Sequence, residues 1–128
     1  MPVLSLMVEL KLTCVTFDCA DPGRVAAFWA EALGQGSGWR LDGHCVRPVD
    51  GGPYLEFVPV PEGKTVKNRL HLGLSTPDLD AEIARLTSLG ATLAWEEEFP
   101  PGWTYRNVVM RDIEGNEFCL GNEGSQSG

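Results

Sequence analysis

The sequence predicts an α+β fold of two successive βαβββ modules forming a curved mixed sheet around a central cleft. One observation behind this is a repeat. LTCVTFDCADP around Cys14 and RLHLGLSTPD around His71 are similar runs, and each leads through an aspartate into a helix. Cys14 to His71 and Asp21 to Asp78 are both 57 residues apart, and the helix ends Leu33-Gly34 and Leu89-Gly90 are 56 apart. An offset held across strand, turn and helix indicates two copies of one unit. The other observation is a change of period within each copy, from two in the opening run to helical spacing after the aspartate.

In the first copy, residues 11–19 alternate as a strand, with Val15, Phe17 and Cys19 on one face and Cys14, Thr16 and Asp18 on the other. Asp21-Pro22 is a helix start, a capping carboxylate followed by proline at the first helical position. Val25, Phe28, Trp29, Ala32 and Leu33 follow at helical spacing as a core stripe, and Gly34 ends the helix. Trp39-Arg40-Leu41, the turn Asp42-Gly43 and residues 44–47 form a hairpin. The turn Asp50-Gly51-Gly52-Pro53 then leads into a strand over 54–58.

The second copy repeats this order. Leu70, Leu72 and Leu74 are expected to face the core, with His71, Gly73 and Ser75 opposite. A helix over about 79–89 carries Leu79, Ile83 and Leu86, and strands follow near 92–96, 105–111 and 116–121, with a turn at Glu114-Gly115. Module one thus spans about 10–60 and module two about 68–122, one domain over 10–122. The stretch 60–67 (VPEGKTVK) is the linker. Residues 1–9 are read as an N-terminal extension, with Met7 an alternative start, and 123–128 as a flexible tail.

A net charge of −8 excludes a phosphate-backbone partner, because nucleic-acid binding depends on Lys and Arg displacing counterions. The small basic cluster Lys64, Lys67 and Arg69 could still hold one anionic group. No apolar run approaches the roughly 20 residues of a membrane span, so no membrane partner is expected. Cys14, Cys19, Cys45 and Cys119 show no CxxC spacing and read as free thiols of a cytoplasmic protein.

Alternation also nominates a site. If one face of each opening strand packs on helices, the other lines a concave surface bearing Cys14 and His71. Glu56, between Leu55 and Phe57, and Cys119, between Phe118 and Leu120, join them from the fourth strands. Four groups able to bind metal or move protons would converge. Thr16 and Asp18 share that face, where Asp18 would either accept a substrate proton or form a strand-end ion pair. Trp39, Trp103 and Tyr105 would either wall a pocket for a planar ligand or pack together at strand ends. His44 beside its turn reads as a surface residue, and the acidic run Glu96, Glu97 and Glu98 as a solvated strand end.

The strings FDCADPGRVAAFWAEALG, VPEGKTVKNRLHL and DIEGNEFCL, set in a double βαβββ pattern, resemble the vicinal-oxygen-chelate superfamily: glyoxalase I, extradiol dioxygenases, and bleomycin- and fosfomycin-resistance proteins. The similarity is greatest to its glyoxalase-like domain subgroup and covers about residues 10–122. It implies four strand positions that in metal-dependent glyoxalases carry His or Gln, Glu, His and Glu. Cys14 falls on the first, Glu56 on the second, His71 on the third and Cys119 on the fourth. Two sulfurs among the donors argue against nickel, iron or magnesium and leave zinc as the ion they suit. Lys64, Asn68 and Arg69 resemble a subgroup motif that would either clamp an anion or fix the linker.

The resemblance implies binding of a small organic molecule in the cleft. One form is a lyase or isomerase reaction in which Glu56 takes a proton next to a carbonyl while His71, or a metal it holds, polarises the oxygen. The other is non-catalytic binding of an aromatic or antibiotic-like compound, as in the bleomycin-resistance branch. The sequence leaves both open, and it leaves open whether the modules close on each other within a chain or between chains. Free sheet edges and apolar rims point to a homodimer.

Overall fold

The computed structural model describes residues 9–122. The tail, Met7 and all of the N-terminal extension except Glu9 lie outside the described residues. Module one contains β1 (Cys14–Cys19), α1 (Pro22–Ala32), β2 (Trp39–Asp42), β3 (Cys45–Pro48) and β4 (Tyr54–Pro59). Module two contains β5 (Leu72–Thr76), α2 (Leu79–Ser88), β6 (Thr92–Glu96), β7 (Asn107–Arg111) and β8 (Glu117–Asn122). Each module builds its own four-stranded mixed sheet, in the orders β1-β4-β3-β2 and β5-β8-β7-β6. The first and last strands of each module run parallel and the other pairs antiparallel.

The repeat is structural down to its caps. Asp21 accepts the Arg24 N–H at 3.2 Å and Asp78 accepts the Ala81 N–H at 3.2 Å, each satisfying a donor that the first helical turn leaves free. Leu33 and Leu89 close the helices, and Gly34 (φ 84°) and Gly90 (φ 114°) turn the chain out through the left-handed region. The strand registers repeat as well. Thr16 lies beside Glu56, and Gly73, 57 residues after Thr16, lies beside Cys119. Glu56 and Cys119 therefore occupy equivalent places.

The helices differ in how much they bury. α1 buries Val25, Ala26, Phe28, Trp29, Ala30 and Ala32, whereas α2 buries only Leu79 and Leu86. A helix apolar over most of its circumference must be covered on more than one side, and α1 is. It packs on its own sheet and also reaches module two, where the Trp29 ring meets Phe118 edge-on at 4.9 Å. Val46, Leu55 and Phe57 from sheet one join Val108, Met110, Phe118 and Leu120 from sheet two in one core. Arg85 of α2 donates to the Glu31 and Ala32 carbonyls at the end of α1. The helix-covered sides of the two modules thus face each other inside the chain.

One expectation needs correction. Leu72 and Leu74 pack on the core, but Leu70 is 84% exposed and precedes β5. The ladder starts only at the Leu72–Phe118 pair. One residue before Phe118, the Glu117 N–H donates instead to the Asn68 side chain at 3.2 Å, so no strand pairing draws Leu70 inward.

Candidate functional site

The side of sheet one turned away from α1 carries two rows of side chains set by strand register. Odd positions of β1 and β4 (Val15, Phe17, Leu55, Phe57) enter the core, so their neighbours stand on the open side. One row crosses the sheet as Thr16, Glu56, Cys45 and Asp42. Beside it Cys14 lies opposite Tyr54, and Arg47 opposite Arg40. The Arg47 guanidinium covers the Tyr54 ring at 4.1 Å and joins these two pairs into a second row.

The rows are chemically coupled. The Thr16 hydroxyl donates to Glu56 Oε1 at 3.0 Å, and Cys14 Sγ lies 3.8 Å from the same hydroxyl. The Cys14 thiol beside Tyr54, with partial burial, pushes the phenol above its ordinary value. Arg47 Nε donates to Asp42 Oδ2 at 3.0 Å.

On sheet two, Cys119 is half-buried on the equivalent side, between buried Phe118 and Leu120. Gly73 beside it is exposed, and a Cβ placed there would stand 3.5 Å from Cys119 Sγ, so the glycine leaves room above the thiol. His71 lies just before β5 and is exposed. Asp18 is exposed and makes no ion pair among the described residues.

The structure thus brings Cys14, Thr16 and Glu56 together, and it holds Cys119 and His71 on the other module. Among the described residues no three His, Cys, Asp or Glu side chains lie close enough to hold a metal ion. The donor ring expected for a metal therefore does not fit within one chain. Cys19, on the core side, is 2% exposed, and burial pushes its thiol up to about 11, with the nearby carboxylates of Glu114 and Asp112 adding to the shift.

The aromatic candidates separate. Trp39 is half-buried against the core. Trp103 stacks on Phe99 at 5.5 Å, and Tyr105 meets Phe99 edge-on at 5.4 Å. The Tyr105 O–H donates to Asn107 Oδ1 at 3.3 Å, and its ring lies where a side chain on Gly121 would project. The linker reading fits Asn68 and Lys67, since Lys67 Nζ bonds Glu117 Oε1 at 2.7 Å beside the Asn68 contact. Lys64 and Arg69 are exposed there, and so is His44 on its hairpin. Of the acidic run, Glu96 pairs with Arg106 and Glu97 accepts from the Trp95 indole.

Sequence reasoning overlooked Arg40, Arg47 and Tyr54. Tyr54 stands two residues before Glu56 on the same strand, so alternation alone could have found it. The two arginines become neighbours of that face only through the β2–β3–β4 register.

This arrangement defines a class: paired βαβββ modules with helices inside and a polar sheet face outside. Residues 14–121 match the family model of the glyoxalase-like domain, and the chain belongs to that family. No curated protein matches the sequence. Among solved structures, it is similar to TnmS3, an antibiotic binding protein from Streptomyces sp. CB03234, at 22% identity. That match covers 92% of this chain and 98% of the other with a TM-score of 0.60. A member of the glyoxalase/bleomycin resistance protein/dioxygenase superfamily from Sphaerobacter thermophilus is 22% identical, covers 91% and 99%, and has a TM-score of 0.62. The fosfomycin resistance protein FosX from Mesorhizobium loti is 15% identical, covers 92% and 95%, and has a TM-score of 0.63. At these identities the likeness is one of fold.

Proposed function

We propose that this protein binds a small organic molecule between the open face of sheet one in one chain and the open face of sheet two in a second copy. The observation that carries this reading is the packing of Trp29 against Phe118, which turns the helix-covered sides of both modules inward. The polar faces then look outward, and a single chain does not close a cleft between them. Among the described residues the edge strands β1 and β5 each have one unpaired side, and a symmetric dimer would cover both. Cys14, Thr16 and Glu56 of one chain would then face Cys119 and His71 of the other, the set expected from the sequence. An antibiotic-binding neighbour of the same fold supports binding without chemistry.

A catalytic version has one observation in its favour: Glu56 is held by the Thr16 hydroxyl on the open face with its second oxygen free of hydrogen bonds among the described residues. In that version Glu56 takes a proton next to a carbonyl, and His71 of the second copy steadies the oxygen. No metal step belongs to either version. For an ion bridging two chains, zinc is the one that two sulfurs, a histidine and a carboxylate suit, and nickel, iron and magnesium are not. Four free thiols support a cytoplasmic location. No helix among the described residues is long and apolar enough to cross a membrane.

Calorimetric titration of the purified protein with bleomycin, with Glu56→Gln alongside, tests the binding reading. Saturable binding at one site per chain, retained in Glu56→Gln, supports the binder. Turnover of the methylglyoxal–glutathione hemithioacetal, lost in Glu56→Gln, would replace it with the catalytic version.

A further inference from the structure

A cavity of about 520 Å³ opens at one end of the sheet-one face, lined by Lys11, Arg40, Arg47 and Tyr54 among others. That volume has room for a small organic molecule. Its charge is the reverse of the protein's. Three cationic side chains line it and no Asp or Glu does, in a chain of net charge −8.

Two acidic groups on the strands and turn that line it are already engaged. Asp42 binds Arg47 at 3.0 Å and stands 4.0 Å from Arg40, so one carboxylate serves two guanidinium groups. Asp50 accepts the Gly52 N–H at 2.9 Å. Lys11 makes no ion pair among the described residues. Arg47 is also prepared for a ligand: its Nε is used by Asp42 and its guanidinium carbon sits over the Tyr54 ring, while its two terminal nitrogens make no hydrogen bond among the described residues. A guanidinium fixed in this way can present two parallel donors to an oxyanion. Leu12, Pro48, Val49 and Pro53 supply apolar walls beside the cationic end.

We propose that this cavity takes the oxyanion end of a small organic acid, a carboxylate or phosphate ester, whose planar apolar body lies along Tyr54 and the two prolines. The proposal rests on the open-face reading but needs no second copy, since one chain supplies every group named. Isolated surface cations would attract any anion weakly and leave with added salt. A fixed guanidinium, a second arginine and a lysine around an apolar pocket should instead select an anion that carries a ring.

The test is an NMR titration of the full-length protein with benzoate, phenyl phosphate and neutral benzamide, with acetate as the anion that lacks a ring. Benzoate or phenyl phosphate should shift the Gly51, Gly52 and Tyr54 amides saturably, whereas benzamide and acetate should bind about tenfold more weakly or not at all. Lys11→Ala with Arg40→Ala, both at exposed positions, should weaken the ring-bearing anion by about tenfold while the spectrum stays folded. Arg47→Lys, which keeps the charge and loses the fork, should weaken it as well. Equal binding of benzamide and benzoate, or unchanged affinity in the double variant, overturns the proposal. Neither result touches the two-copy cleft, which is tested separately by cross-linking between chains.

Discussion

The indole N–H of Trp29, in the first module's helix, donates to Asp112 Oδ2 of the second module at 2.9 Å. Asp112 is 4% exposed, and its two oxygens collect three further donors: the Glu114 and Asn116 backbone N–H groups and the Asn116 side-chain amide. One carboxylate therefore shapes the β7–β8 turn and ties it to the other module. A second tie lies alongside, where Glu114 accepts the Ala20 and Asp21 N–H groups at 2.7 and 2.8 Å.

Asp112→Ala strands buried donors on both modules and should cost about 3 kcal/mol in urea unfolding, whereas Trp29→Phe, which keeps most of the ring packing, should cost about 1 kcal/mol. The two effects should be less than additive, because they share one bond. Full additivity in that double-mutant cycle would mean the Trp29–Asp112 bond does not couple the modules.

Thiol chemistry separates the four cysteines. Cys19 is 2% exposed and its thiol is pushed up to about 11, so almost none of it is thiolate near neutrality. Iodoacetamide should label Cys14, Cys45 and Cys119 in the folded protein and reach Cys19 only after unfolding, with peptide mapping as the readout. Early labelling of Cys19 would contradict the packing of β1.

Acid should destabilise the protein. Glu82 beside Arg85, Glu96 beside Arg106 and Glu117 beside Lys67 are each held below the ordinary carboxylate value of 4.5 by hydrogen bonds to those cations. A depressed folded value means the unfolded chain binds protons first. The contribution is therefore complete above about pH 4.5 and is lost as the pH falls through the folded values. Urea midpoints should hold steady from neutrality to about pH 5 and then drop steadily as the pH falls further. Lys67→Met should shrink the part of that drop that comes from Glu117. A midpoint that rose on acidification would contradict these pairings.

The two modules were legible because each local rule agreed with the next. Asp21 and Asp78 cap, Gly34 and Gly90 terminate, and the 57-residue offset links them, all from short-range chemistry. The side-chain alternation around Glu56 and Cys119 was also legible, since flanking Leu55, Phe57, Phe118 and Leu120 fix which face is core. Leu70 misled because alternation extends a strand past the point where Asn68 ends the ladder. How the modules pack was not legible. The unusual apolarity of α1 announces a second covered side, but nothing local names Phe118 and Asp112 as its partners. Arg40, Arg47 and Tyr54 stayed hidden for a similar reason, because three strands must be in register before they form one surface.

The claim at the centre of this account is that the open faces of two chains enclose the ligand cleft, and cross-linking tests it most directly. Isotopically light and heavy wild-type chains are mixed, refolded together and treated with a short bis-maleimide, and the linked peptides are mapped by mass spectrometry. Cys14 and Cys45 stand on the open side of sheet one and Cys119 on that of sheet two. Links from Cys14 or Cys45 to Cys119 should join light to heavy chains, on a species of dimer mass in sedimentation. Links between these cysteines found only within single chains, on a species of monomer mass, would contradict it.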